Sequence, residues 1–235
     1  MTATEIVEQL RPLGRDGYKK ILMNHDVREP CFGVKIEELK KFQKQIKVDY
    51  QLALDLFDTG IYDAMYLAGL IADDARMTRK DLQKWLKNAS CFAIGNFTVS
   101  WVASGSPHGW ELALEWIASK DENAVAVGWS TLSSLVSIRD DSELDLAELK
   151  RLLQRIEKTI HQRPDRVRYV MNGFVIALGS YVKSLTEAAL KAGEKIGPVE
   201  VDMGETSCKV PYAPDYIRKV QKRGTIGKKR KSAKC

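Results

Sequence analysis

The chain has 235 residues, with 37 Lys and Arg against 31 Asp and Glu and 44% hydrophobic content. That profile fits one or two globular domains with a sizeable core and excludes a disordered tail or a disulfide miniprotein. The net charge of +6 is local: residues 218–235 hold nine bases and no acid, and without them 28 bases face 31 acids over residues 1–217.

No apolar run approaches the ~20 residues of a membrane helix. The opening MTATEIVEQL lacks the basic-then-apolar layout of a signal peptide. The expectation is a cytoplasmic protein, nucleoid-associated in a bacterium or nuclear in a eukaryote, with no membrane partner. Cys31, Cys91, Cys208 and Cys235 show no CxxC spacing, which fits reduced thiols.

In chain order, Asp49 to Phe57 and Tyr62 to Ala72 carry helical apolar periodicity. Thr78-Arg-Lys-Asp81 then has a capping-box layout ahead of Leu82, Trp85 and Leu86. Cys91 to Ala103 and Glu122 to Val136 bracket a further helix at Pro107 to Ala118. The first of these is almost free of charge, as is Asn123 to Val136 within the second. In Leu144 to Gln162, Leu146, Leu149, Leu152, Leu153, Ile156 and Ile160 recur at spacings of three and four, one face of a helix. Pro164 to Tyr181, Leu185 to Lys195 and a short helix at Asp215 to Arg223 complete the series. Pro198 to Asp202 alone alternates like a strand, and Met203 to Pro211 reads as extended. Asp73-Asp74 and Asp140-Asp141 fall at helix ends, where they cap or solubilise.

About a dozen helices of roughly 10–15 residues with short loops predict an all-α fold. Helical pairs return every 35–45 residues, the period of a HEAT-like or armadillo-like repeat solenoid, an α-α superhelix; from pattern alone an irregular bundle fits as well. The expected organisation is a helical-repeat domain over residues 1–197, an extended segment with a short helix over 198–217, and a basic tail over 218–235.

Metal and cofactor chemistry finds no support: His25, His108 and His161 lie far apart, with no HExxH, P-loop or GxGxxG pattern. No metal and no cofactor are expected. Trp101, Trp110, Trp116 and Trp129 cluster among neutral neighbours, either as core or as an aromatic platform for bases or sugars. Lys228-Lys229-Arg230-Lys231 follows Gly224-Thr-Ile-Gly227 and reads as a phosphate-binding run, a nuclear signal or a solubility tail. About five phosphate contacts would give a log–log salt slope near −4.5.

Four segments in order carry a resemblance. They are Cys31-Phe-Gly-Val-Lys-Ile-Glu-Glu-Leu39, Tyr62 to Asp73, Asn96-Phe-Thr-Val-Ser-Trp-Val-Ala-Ser104 and Met171-Asn-Gly-Phe-Val-Ile-Ala-Leu178. Together they resemble the DNA alkylation repair family of AlkD type over roughly residues 5–190. The resemblance implies a C-shaped HEAT-like solenoid that holds double-stranded DNA, alkylated or structurally distorted, on its concave face. It also implies the activity of some members, alkylpurine DNA glycosylases that release N3- and N7-alkylated purines. Catalytic members share a tryptophan and an aspartate four residues apart, then an arginine and a further tryptophan. In this register Asn96, Ser100, Trp129 and Phe174 stand at those positions. Serine cannot supply the charge that an oxocarbenium-like transition state needs, a loss on the order of 10²–10³ in rate.

Three readings follow: the glycosylase, a non-catalytic binder of damaged or distorted DNA, and a helical-repeat scaffold for proteins. The DNA-contacting candidates are Trp101, Arg166, Arg168, Lys228, Lys229, Arg230 and Lys231.

Overall fold

The computed structural model describes residues 1–202, 206 and 208–234; Met203 to Glu205, Ser207 and Cys235 lie outside them. The part of the expected extended segment that falls on residues 203–205 and 207 is therefore not described. Among the described residues every regular element is helical. The candidate strand at Pro198 to Asp202 is extended without a ladder partner. No described helix is long and apolar enough to cross a membrane.

The chain divides into two compact units, one over residues 1–112 that includes Lys234 and one over residues 113–202 and 208–233. The first unit contains α1 (Ala3–Leu10), α2 (Asp16–Asn24), α3 (Ile36–Ile46), α4 (Tyr50–Asp58), α5 (Tyr62–Ile71) and α6 (Arg79–Asn88). A π-helical turn (Ile94–Val99) then runs straight into α7 (Ser100–Gly105). Helix α8 (Gly109–Ile117) follows, and the second unit continues with α9 (Glu122–Ile138), α10 (Leu146–Thr159), α11 (Asp165–Tyr181), α12 (Thr186–Ile196) and α13 (Ala213–Lys222).

Local chemistry starts these helices where the sequence reading expects it. Thr78 and Asp81 form the reciprocal capping box of α6. Asp49, Asp121 and Asp145 accept from the first-turn amides of α4, α9 and α10, which satisfies donors that a helix start leaves unpaired. One expectation changes: Cys91 to Ala103, read as a single α-helix, holds the π-helical turn at its centre.

In the first unit α5 is the centre. Every residue from Tyr62 to Ile71 is buried, and α1, α3, α4 and the π turn pack on it. Burying Asp63 inside this helix is offset by two amides, because its carboxylate accepts from Phe32 N at 2.6 Å and Val34 N at 2.7 Å. Those bonds tie the Cys31 to Leu39 segment to the core. Trp85 lies flat on Phe57, with ring centroids 4.1 Å apart. The π turn comes so close to α5 that a Cβ at Gly69 would stand 2.7 Å from Thr98 Cγ2.

In the second unit α9 and α11 pack side by side, and α12 and α13 cover α11. Helix α8 presses on α9 where a Cβ at Gly128 would meet Ile117 N at 2.8 Å and Ala113 O at 2.9 Å. Hydroxyls in α9 bond to their own helix rather than to a partner: Thr131 donates to Val127 O and Ser133 to Trp129 O, each at 2.8 Å.

Within each unit, a lysine of the C-terminal run is held by the same chemistry. Lys229 Nζ donates to Val136 O at the end of α9, 2.9 Å away, and pairs with Asp141 at 2.7 Å. Arg230 N donates to Ser137 O, and Gly227 N to Ser180 O at the end of α11. In the first unit Lys234 Nζ donates to Ala72 O at the end of α5 and pairs with Asp74 at 2.7 Å. The last carbonyls of a helix are unpaired and carry the negative end of its dipole, so an ammonium group fits there. Burial pushes the Asp74 carboxyl from 3.8 up to about 6, against the pull of Lys234.

Two outcomes are expected. Gly128→Ala forces backbone apart and lowers stability by about 1–3 kcal/mol. Gly173→Ala, in α11 with nothing within 4 Å of the added methyl, raises it by about 1 kcal/mol through helix propensity. Thermal unfolding should therefore move in opposite directions, by about 2–4 °C per kcal/mol at this size. A parallel shift would contradict the packing described.

The second outcome concerns pH. A raised carboxyl favours the fold fully below about pH 4, and that contribution is lost as pH rises through about 6. In urea unfolding, the stability of the native chain relative to Asp74→Asn should fall by up to about 3 kcal/mol across that window. A difference that stays constant with pH would show that Asp74 titrates normally.

Candidate nucleic-acid interface

The neutral segment of the first unit contains three of the candidates read from sequence, and it turns them inward. Asn96 is buried, with Nδ2 donating to Phe92 O at 3.0 Å. Ser100 is fully buried, and its hydroxyl lies 2.5 Å from Asn96 O and 3.2 Å from Phe97 O. Such back-bonding to carbonyls three and four residues earlier uses the hydroxyl within its own helix. Trp101 is 6% exposed, edge-on to Tyr66 at 5.5 Å and stacked against Phe97 at 5.6 Å.

The member of this aromatic group that reaches solvent is Phe97, at 46% exposed. The sequence reading passed over it in favour of Trp101. The π-helical turn adds a residue to the repeat, so side-chain direction here departs from α-helical spacing.

In the second unit Trp129 and Phe174 are buried against each other, ring centroids 5.2 Å apart. The Arg155 guanidinium lies 5.8 Å over the Trp129 ring, and its Nη2 donates to Ile117 O at 2.7 Å. Burial is the main cause lowering the Arg155 pKa, reinforced by Arg163 and Arg151 nearby. Arg155 is the cation that packs against Trp129, and the sequence register did not single it out.

The start of α11 carries the other two arginines. Arg166 is exposed, whereas Arg168 is paired with Asp165 and largely covered. Beside them a cavity of about 320 Å³ is lined by Ser119, Lys120, Val125, Arg163, Val167 and the carboxylate-bearing Glu122. The first turns of α9 and α11 both reach it. Two helix starts and two cations make an environment suited to an oxyanion such as a phosphate. Lys120 and Arg163 precede their helices in loops, so helical periodicity did not mark them.

Of the four basic residues at 228–231, Lys229 is taken up by α9 and Asp141, while Lys228, Arg230 and Lys231 are exposed. The cysteine thiols differ in their surroundings. Burial and the neighbouring Asp63 push the Cys31 thiol up to about 12, and burial raises Cys91, so neither is a ready nucleophile. Cys208 is exposed. Among the described residues no group of three His, Cys, Asp or Glu side chains stands close enough to hold a metal ion.

Comparison with known proteins agrees with this architecture. A family described as DNA alkylation repair enzyme matches residues 6–217. The chain is 30% identical over 228 residues to the uncharacterized protein Lin0241 of Listeria innocua, covering 95% of this chain and 99% of that one. The same identity and coverage hold for the uncharacterized protein Lmo0209 of Listeria monocytogenes. A solved structure described as representing a new family related to the HEAT-like repeat DNA glycosylases, with affinity for branched DNA structures, is 33% identical. It superposes with a TM-score of 0.92 over 100% of both chains. The fold is thus all-α and HEAT-like, and the chain belongs to the DNA alkylation repair enzyme family.

Proposed function

We propose that this protein binds branched or otherwise distorted DNA and leaves the glycosidic bond intact. One observation carries the second half of that reading. At the position resembling the catalytic carboxylate stands Ser100, uncharged, fully buried and hydrogen-bonded to its own helix. It offers neither negative charge nor access to a developing sugar cation. The first half is supported by likeness over the whole chain to a protein with affinity for branched DNA structures.

Affinity would come from phosphate contacts, which release counterions and are independent of sequence. The exposed Lys228, Arg230 and Lys231, with Arg166 and the Lys120 and Arg163 pair at the helix starts, are the residues for it. The buried candidates then shape the cores of their own units, Asn96 and Ser100 in the first and Trp129 and Phe174 in the second, and Trp101 backs the exposed Phe97.

Binding to a four-way junction and to a linear duplex of equal length should be measured at several salt concentrations. The expected result is tighter binding to the junction and no release of 7-methylguanine or 3-methyladenine from alkylated DNA. Base release by the native chain would establish the glycosylase reading instead, and failure to bind any DNA at low salt would leave the protein scaffold. Replacing Lys228, Arg230 and Lys231 together by Gln should reduce the log–log salt slope by about 2.7, at ~0.9 per phosphate. An unchanged slope would remove the tail from the interface.

A further inference from the structure

We infer that Phe97 is a base-stacking residue that engages an exposed nucleobase at the branch point of DNA, an inference that rests on the reading above. Phe97 is 46% exposed, although Ile94, Val99, Trp101 and Val102 around it are buried. Its neighbour Thr98 is fully buried against Gly69 of α5, so within one step of the π turn the chain passes from an exposed ring to a packed contact. The ring does not lie loose on the surface. It stacks on Trp101 at 5.6 Å with 29° between the planes, and Trp101 is held edge-on by the buried Tyr66. Phe97 is therefore the exposed ring of an aromatic cluster whose other members, Trp101 and Tyr66, are buried.

A rigid aromatic face presented to solvent suits a flat, apolar partner and gives up little conformational freedom on binding. Bases inside a continuous duplex have both faces covered by their neighbours. At a branch point, the terminal pair of an arm or an unpaired nucleotide presents a free face. Stacking of this kind tolerates any base, because every base has a π-face. The segment from Cys91 to Ala103 holds no Lys, Arg, Asp or Glu. Phe97 thus adds selectivity for branches without adding phosphate attraction, and its contribution is independent of salt.

The test compares Phe97→Ala, Phe97→Leu and Phe97→Tyr with the native chain on a four-way junction and a linear duplex. A junction carrying 2-aminopurine at the branch point reports stacking directly. Phe97→Ala and Phe97→Leu are expected to bind the junction about 5- to 100-fold more weakly, with unchanged duplex affinity and salt slope, while Phe97→Tyr binds as the native chain does. The native chain and Phe97→Tyr should quench the 2-aminopurine and the other two should not. Full activity of Phe97→Leu would overturn the inference, because it would reduce Phe97 to apolar packing. Native affinity of Phe97→Ala for the junction would overturn it too, while leaving branched-DNA binding in place. No preference for the junction by the native chain would overturn both.

Discussion

Close approach between helices with almost no charge is the constraint on which the rest of this structure depends. In the first unit the buried helix α5 meets the π turn through Gly69, and in the second α9 meets α8 through Gly128, each where a Cβ would collide. Spacing this tight leaves no room for water between the helices; the Thr98 hydroxyl beside Gly69 has no hydrogen-bond partner, while several other polar side chains are satisfied locally. Ser100, Thr131 and Ser133 do so by donating to carbonyls of their own helices. Asp63 does so by taking two amides from the 31–39 segment.

Charge is displaced to helix ends and to the tail, where it has distinct roles. Lys229 and Lys234 each meet the last carbonyls of a buried helix and an aspartate in the following turn, Asp141 and Asp74. A charge that caps a helix and satisfies an acid is structural and is not free to bind a polyanion. Lys228, Arg230 and Lys231 in the same run remain exposed. A sequence as short as Lys228 to Lys231 thus divides between anchoring and surface charge, and net charge alone cannot separate the two roles.

The aromatic residues divide in a similar way. Trp85, Trp129 and Phe174 are core, and Arg155 reaches Trp129 from outside the neutral helices. Trp101 is nearly buried, but it passes rigidity to Phe97, which is exposed. Around the π turn the Ser100 hydroxyl is bonded within its own helix, whereas Phe97 meets solvent.

Much of the fold could be read from the chain. Apolar spacing marked the helices from Asp49 to Lys195, Thr78 and Asp81 announced their capping box, and four ordered segments pointed to the family. These signals are local, because capping and amphipathicity act within one or two turns. What the sequence determined by itself was therefore the all-helical architecture and the uncharged stretches at Cys91 to Ala103 and Asn123 to Val136. The tertiary structure alone decided which side chains meet solvent. Phe97 rather than Trp101 is exposed because a π-helical turn shifts direction in a way that α-helical spacing cannot encode. Lys229 and Lys234 are anchors because the carbonyls of Val136 and Ala72, 93 and 162 residues away along the chain, complete their sites together with Asp141 and Asp74, and contacts that distant leave no periodic trace.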